Sequence, residues 1–280
     1  MWNVMNRTNA RQRFIMTTLA LRAHGMWNIM NRTNGRRRFI ILTDQRSGSN
    51  HLGDLLDSHL SVRVAGELLN PDHQHISRNH PLPDRLRDLR ARDPIAYLKA
   101  FFTQPLDPSI THLGFRIFHD HARSRTERSE RSIWTTLRRT KELQVIHLKR
   151  RNLLRNLLSL KLAERSNEWE RLEGTPPVRY EPLRIEYEEV IAHFRARERS
   201  FARGSRFFRR HRKTEIFYED LERDETHQMA ALLRFLGLPS QPLLSSTRKQ
   251  NQQPTRELIE NHAELEDRFR HTRWHEFFQD

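Results

Sequence analysis

Apolar and polar positions divide the chain into alternating strand-like and helix-like segments. Phe39, Ile40, Ile41 and Leu42 make an unbroken apolar run, the pattern of a parallel strand covered on both faces. A small-residue turn from Asp44 to Ser49 follows, and then Leu52, Leu55 and Leu56 recur at helical spacing. Ser61 to Ala65 reads as a short strand ended by Gly66, Asn70 and Pro71. Pro71 to Arg92 is rich in Pro, His, Asp and Arg with little periodicity, and reads as a loop excursion. Asp93 and Pro94 make an N-cap and first-turn pair for a helix reaching Phe102. His112 to His121 reads as a strand ending in polar groups, and Leu143 to Leu148 as another buried strand. Leu154, Leu158 and Leu162 then mark one side of a helix.

Between Leu183 and Arg212 the spacing predicts a long helix with two stripes. Tyr187, Ile191, Phe194, Phe201 and Phe208 form its core side. Arg195, Arg199, Arg203, Arg206 and Arg210 form a basic side, read as a solvated face, with an electrostatic funnel for an anionic substrate as the alternative. Thr214 to Tyr218 reads as a strand, and Thr226 to Leu236 as a helix stopped by Gly237 and Pro239. Strands and helices alternate, so the expectation is an α/β fold with a central parallel sheet of about five strands.

Charge changes the picture. The 280 residues carry a formal net charge of +15, a surface that attracts polyanions. The absence of cysteine excludes disulfides and thiolate metal ligands and suits a reducing cytoplasm. No apolar run approaches the roughly 20 residues of a membrane span, and no basic-then-apolar signal peptide is present. Met1 to Ile15 recurs almost unchanged as Met26 to Ile40, but the first copy lacks the loop that follows the second. Residues 1–35 contain no acidic residue and read as a poorly anchored basic extension, leaving 36–280 as one catalytic domain.

The candidate chemistry begins in that loop. Gly48 allows close approach of backbone to an anion, and Ser47 and Ser49 add hydroxyl donors. Arg46 supplies a fork suited to phosphate or sulfate oxygens, and the following helix presents its positive end near Asn50. A nucleotide kinase needs GxxxxGK[ST], whereas Ser49 and Asn50 follow this glycine. His73 with His75 and His119 with His121 could chelate a cation, but no carboxylate framework completes a site, and no metal is assigned.

The stretch TDQRSGSNHL resembles the 5′-phosphosulfate loop of sulfotransferases that use 3′-phosphoadenosine 5′-phosphosulfate (PAPS), with Arg46 where many members carry lysine. Arg151 and Ser159 look like the arginine and serine that hold the 3′-phosphate in that family. STRKQNQQP resembles its C-terminal basic turn, which implies Arg248 and Lys249 near the same phosphate. GELLN at Gly66 to Asn70 resembles the rhizobial nodulation-factor sulfotransferases, and Ala65-Gly66-Glu67 the bacterial trehalose sulfotransferases, although Asn70 stands where the trehalose type has a second glutamate.

The resemblance implies a P-loop-like three-layer fold and in-line sulfuryl transfer from PAPS to a hydroxyl of a carbohydrate or lipo-oligosaccharide. Arg46 would stabilise the leaving phosphate, and either Glu67 or His119 would take the acceptor proton. Both candidates follow predicted strands; Glu67 is favoured because its match is the longer, and His121 is read as a solvated loop histidine. The rivals are a nucleotide kinase and a non-catalytic basic protein that holds nucleic acid, which the sulfotransferase reading does not expect as a partner.

Overall fold

The computed structural model describes residues 35–70, 84–121, 127–176, 178–247 and 253–279. The expectations for residues 1–34 and 71–83, and for Arg248 and Lys249, lie outside these. Strands β1 (Arg37–Thr43), β2 (Val62–Glu67), β3 (His112–Phe118), β4 (Gln144–Lys149) and β5 (Lys213–Phe217) form one sheet in the order β2-β3-β1-β4-β5. Every neighbouring pair is parallel. The unbroken apolar run of β1 follows from this placement. Ile40 and Leu42 pack into one layer with Tyr97, Phe101 and Phe115. Phe39 and Ile41 pack into the other with Leu52, Leu56, Leu232 and Leu236.

The helices are α1 (Ser49–Asp57), α2 (Asp84–Arg92), α3 (Pro94–Thr103), α4 (Glu127–Arg139), α5 (Leu153–Ser166), α6 (Tyr187–Phe207), α7 (Tyr218–Arg223), α8 (Glu225–Leu236), α9 (Thr255–Leu258) and α10 (His262–Phe269). A third apolar cluster joins Leu154, Leu158 and Leu162 of α5 to Phe194 of α6 and to Phe269 and Phe278. Asp93 caps α3 as expected, its carboxylate accepting from the Ile95 and Ala96 amides at 3.1 and 2.9 Å.

Three expectations need correction. Residues 84–92, taken as loop, are helical; two-thirds of DRLRDLRAR is charged, and Leu86 alone of its two leucines is buried in the core. The long helix starts at Tyr187 rather than Leu183, because Leu183 and Ile185 are extended. Leu183 donates to the Leu258 carbonyl at 2.9 Å, and Ile185 donates to Asn261 Oδ1 at 3.2 Å. Finally, Tyr218 to Arg223 turns into α7 directly from β5.

The strand order positions the site. Chain connections leave β1 toward β2 on one side and leave β4 toward β5 on the other, so the strand order reverses between β1 and β4. A crevice opens at the carboxyl ends of such strands, and open α/β sheets bind ligands there.

Candidate active site

Residues 44–48, at the carboxyl end of β1, fill one side of that crevice. Gly48 is left-handed (φ 81°) and is the N-cap of α1, with no side chain capping the helix. Among the described residues the first-turn amides therefore have no side-chain acceptor, an arrangement that favours an anion. A Cβ at Gly48 would meet Tyr218 Cδ2 at 2.3 Å, so glycine is required by neighbour as well as by backbone angle. Ser47 Oγ is buried and has no hydrogen-bond partner among the described residues, a state that costs about 1–3 kcal/mol unless an acceptor arrives.

Arg46 also has a left-handed backbone (φ 60°), uncommon without glycine and held here from outside. Its carbonyl accepts from Arg150 Nη1 at 2.9 Å and from Asn156 Nδ2 at 3.2 Å, and Asn156 Nδ2 also donates to the Gln45 carbonyl at 2.9 Å. Asn156 Oδ1 must then accept, from His193 Nε2 at 2.9 Å. Burial, then Arg197, pushes His193 down to about 3, so its ring is neutral and keeps the proton on Nε2. The Arg46 side chain reaches across the crevice, donating from Nε to Ser159 Oγ at 2.9 Å and from Nη1 to the Trp169 carbonyl at 2.5 Å. Burial, then the charge of Arg150, lowers Arg46 to about 10, which leaves it protonated at neutral pH.

The turn after β4 forms the other side. Arg151 makes a bidentate pair with Asp220 (2.8 and 2.6 Å) and lies 4.0 Å from the Phe217 ring centroid. Glu219 accepts from the Arg151 and Asn152 amides. Arg150 lies over the Tyr218 ring at 4.9 Å. Ser49 Oγ meets Arg116 Nη1 of β3 at 3.4 Å.

Glu67 ends β2 beside a bulge: Ala65 pairs with Phe115 and Glu67 with Arg116, so Gly66 is the extra residue that re-aims the carboxylate. Glu67 Oε2 accepts from Asn70 Nδ2 at 2.6 Å and lies 3.7 Å from His121 Nε2. His121 Nδ1 accepts from the Phe118 amide at 3.3 Å. The solvated reading of His121 is therefore wrong, since the residue is buried against Glu67.

The His119 side chain is 7% exposed. Its Nδ1 lies 3.2 Å from Asp44 Oδ1, which Arg197 Nη1 approaches at 3.1 Å. Burial opposes ionisation of Asp44, but His119 and Arg197 outweigh it and hold the carboxyl below its usual range. On the far side of the ring, a Cβ at Gly204 of α6 would come within 2.5 Å of His119 Nε2, so that nitrogen is packed against the helix.

Residues 39–242 match the Sulfotransferase family. The chain belongs to that family. Nodulation protein H of Rhizobium meliloti (strain 1021) is 29% identical over 245 residues, covering 85% of this chain and 94% of the relative. Nodulation protein H of Rhizobium tropici is 31% identical over 245 residues, covering 85% and 92%. Among solved structures, a sulfotransferase from Alicyclobacillus acidocaldarius is 14% identical with a TM-score of 0.44, covering 84% of this chain and 92% of that one. The nucleotide-kinase and nucleic-acid alternatives find no counterpart in these matches.

In this sulfotransferase the residues read from the sequence are not all brought together. Arg46, Ser47, Gly48, Ser49 and Asn50 share one loop and helix start, and Ser159 touches Arg46. Arg151 lies at the same crevice with its fork on Asp220. Sequence reasoning missed Asp44, Asn156, His193 and Arg197. They are joined by long-range contacts that no local motif announces. Among the described residues no helix is long and apolar enough to cross a membrane.

Proposed function

We propose that this sulfotransferase takes PAPS as donor and sulfates a hydroxyl of a carbohydrate or glycolipid. The carrying observation is the loop from Asp44 to Ser49: uncapped helix amides, a buried Ser47 hydroxyl without an acceptor, and Arg46 held in a left-handed backbone beside Ser159. These donors fit a phosphosulfate. PAPS, when bound, supplies the activated sulfuryl group. Arg46 and the loop amides hold its 5′ end and stabilise the charge that grows on the leaving phosphate; loss of one such donor raises a barrier by about 3–4 kcal/mol. Ser159, Arg151, Arg248 and Lys249 hold the 3′-phosphate. Asp220 occupies two donors of the Arg151 fork, and a guanidinium has others to offer.

Glu67 takes the acceptor proton. Its carboxylate ends a strand beside Arg116 and is oriented by Asn70, whereas His119 has one nitrogen on Asp44 and the other against Gly204. The carbohydrate acceptor is supported by the GELLN segment and by relatives named Nodulation protein H. The lack of cysteine suits a cytoplasmic site of action.

Calorimetric titration with 3′-phosphoadenosine 5′-phosphate (PAP), with AMP and with ATP tests the donor assignment. The expected result is binding that depends on the 3′-phosphate; equal affinity for PAP and AMP overturns it. The domain proper spans residues 36–280, so a chain lacking Met1 to Gly25 is expected to bind PAP as the full chain does. Loss of soluble, PAP-binding protein on that truncation would contradict this boundary.

A further inference from the structure

Arg195, Arg199, Arg203 and Arg206 of α6, continued by Arg210 just past its end, are all exposed. Among the described residues none of the five guanidinium groups pairs with a carboxylate. Some surface arginines elsewhere do pair, Arg184 with Glu264 at 3.3 Å, Arg223 with Asp220 at 2.7 Å and Arg270 with Asp267 at 2.8 Å, whereas Arg138, Arg139, Arg234 and Arg256 are exposed without a carboxylate partner among the described residues but form no row on one helix face. The acidic residues nearest the stripe are already taken, Glu188 by Arg268 and Glu198 by Arg273.

Helix geometry fixes where this face points. Val190, Phe194 and Gly204 are buried, and His193 and Arg197 reach inward to Asn156 and Asp44. At about 100° per residue the four arginines within the helix fall in one sector opposite that buried face. They point away from the crevice, which removes the reading of this stripe as a funnel for donor or acceptor. From Arg195 to Arg206 the row is about 16 Å long. Exposed Ala192, Ala196 and Ala202 lie beside it, with no large apolar side chain to insert and no aromatic ring on which a base could stack.

We infer that the outer face of α6 docks this sulfotransferase onto an anionic phospholipid surface by charge alone. A straight, uncompensated row of arginines complements a plane of lipid phosphates, and each basic group near such a surface strengthens attachment severalfold. The face lies outside the donor site, so docking leaves the crevice open. If the acceptor is a glycolipid, as proposed above, docking also brings the enzyme to the surface that holds it; the docking itself stands without that reading.

The test is vesicle flotation of the full chain without donor or acceptor, using phosphatidylcholine vesicles with and without about a quarter phosphatidylglycerol. The expected result is flotation only with the anionic vesicles, abolished when salt rises from about 0.05 to about 0.5 M. The variant R195Q/R199Q/R203Q/R206Q should lose about two orders of magnitude in partitioning while binding PAP like the wild type, which shows that it is folded. A control variant, R184Q/R223Q/R268Q/R270Q, should keep most of the binding. Wild-type flotation that survives in the α6 variant, or no flotation at all, overturns the proposal and leaves the donor assignment untouched. A duplex DNA that displaces wild type from vesicles at substoichiometric amounts, through these same arginines, overturns it in favour of a nucleic-acid face.

Discussion

At the scale of single residues, Gly48 and Glu67 carry the sharpest expectations. Gly48→Ala puts a side chain on a left-handed backbone, costing about 1–2 kcal/mol, and drives its Cβ into Tyr218. PAP affinity measured by calorimetry should fall at least about tenfold, since Tyr218 is pinned beneath Arg150 and either the ring or the loop must move. The double variant Gly48→Ala/Tyr218→Ala should recover part of that loss; no recovery would mean that backbone strain alone is responsible. Glu67→Gln keeps the shape of the side chain and removes its basicity. Turnover should drop by about 10²–10⁴ with PAP affinity unchanged. His119→Gln should instead lower thermal stability, because it disturbs the buried Asp44–Arg197 pair. Near-normal turnover in Glu67→Gln with collapse in an intact His119→Gln would exchange the two roles.

At the scale of elements, α5 and α6 act on the loop without belonging to it. Asn156 of α5 donates to two loop carbonyls, and His193 of α6 fixes the orientation of its amide. Asn156→Leu should cost about 1–3 kcal/mol of stability through unpaired buried groups and raise the donor KM more than it lowers kcat. His193→Gln retains a donor for Asn156 and should keep the donor KM near its wild-type value. Equal changes in both variants would show that α6 matters only for packing.

The legibility of these elements follows their burial. β1 and β4 were readable because strands covered on both faces need apolar residues at every position, and the loop because small residues must line a backbone that approaches an anion. α2 was not, since a peripheral helix with one buried leucine has almost no apolar period. His121 read as solvated because its burial against Glu67 is a tertiary fact, as is the packing of His119 against α6. The Asp44, His193 and Arg197 contacts escaped for the same reason: no sequence spacing announces that a helix so far along the chain packs under the first loop.

At the scale of the whole molecule, buried ionisable groups set the response to acid. Burial, followed by the charges of His119 and Lys149, lowers His147 to about 3, and His193 is lowered as far. An unfolded histidine binds its proton near pH 6.5, whereas these two refuse it until about pH 3, so between those values the unfolded state holds more protons. Stability is therefore expected to fall as pH drops through that window, by up to about 1.4 kcal/mol per pH unit for each histidine. Below about pH 4 the fall steepens, because Asp44 and Glu215 keep depressed pKa values in the folded state. Burial opposes the Glu215 shift, and its bonds to Lys149 and Ser205 outweigh it, holding it at about 2. Urea midpoints between about pH 7 and about pH 4.5 measure this, and a flat profile would refute it. His147→Phe should flatten the upper part of the curve.

The central place of β1 also bears on how the chain is made. Phe39 to Leu42 leave the ribosome well before their lateral partners β3 and β4, the latter roughly a hundred residues later. At about 5–20 residues per second, this greasy tetrapeptide waits several seconds for either neighbour. The nascent protein thus carries this apolar segment unshielded until its neighbours are made, so its yield in a cell should depend on holding chaperones far more than its finished stability would indicate.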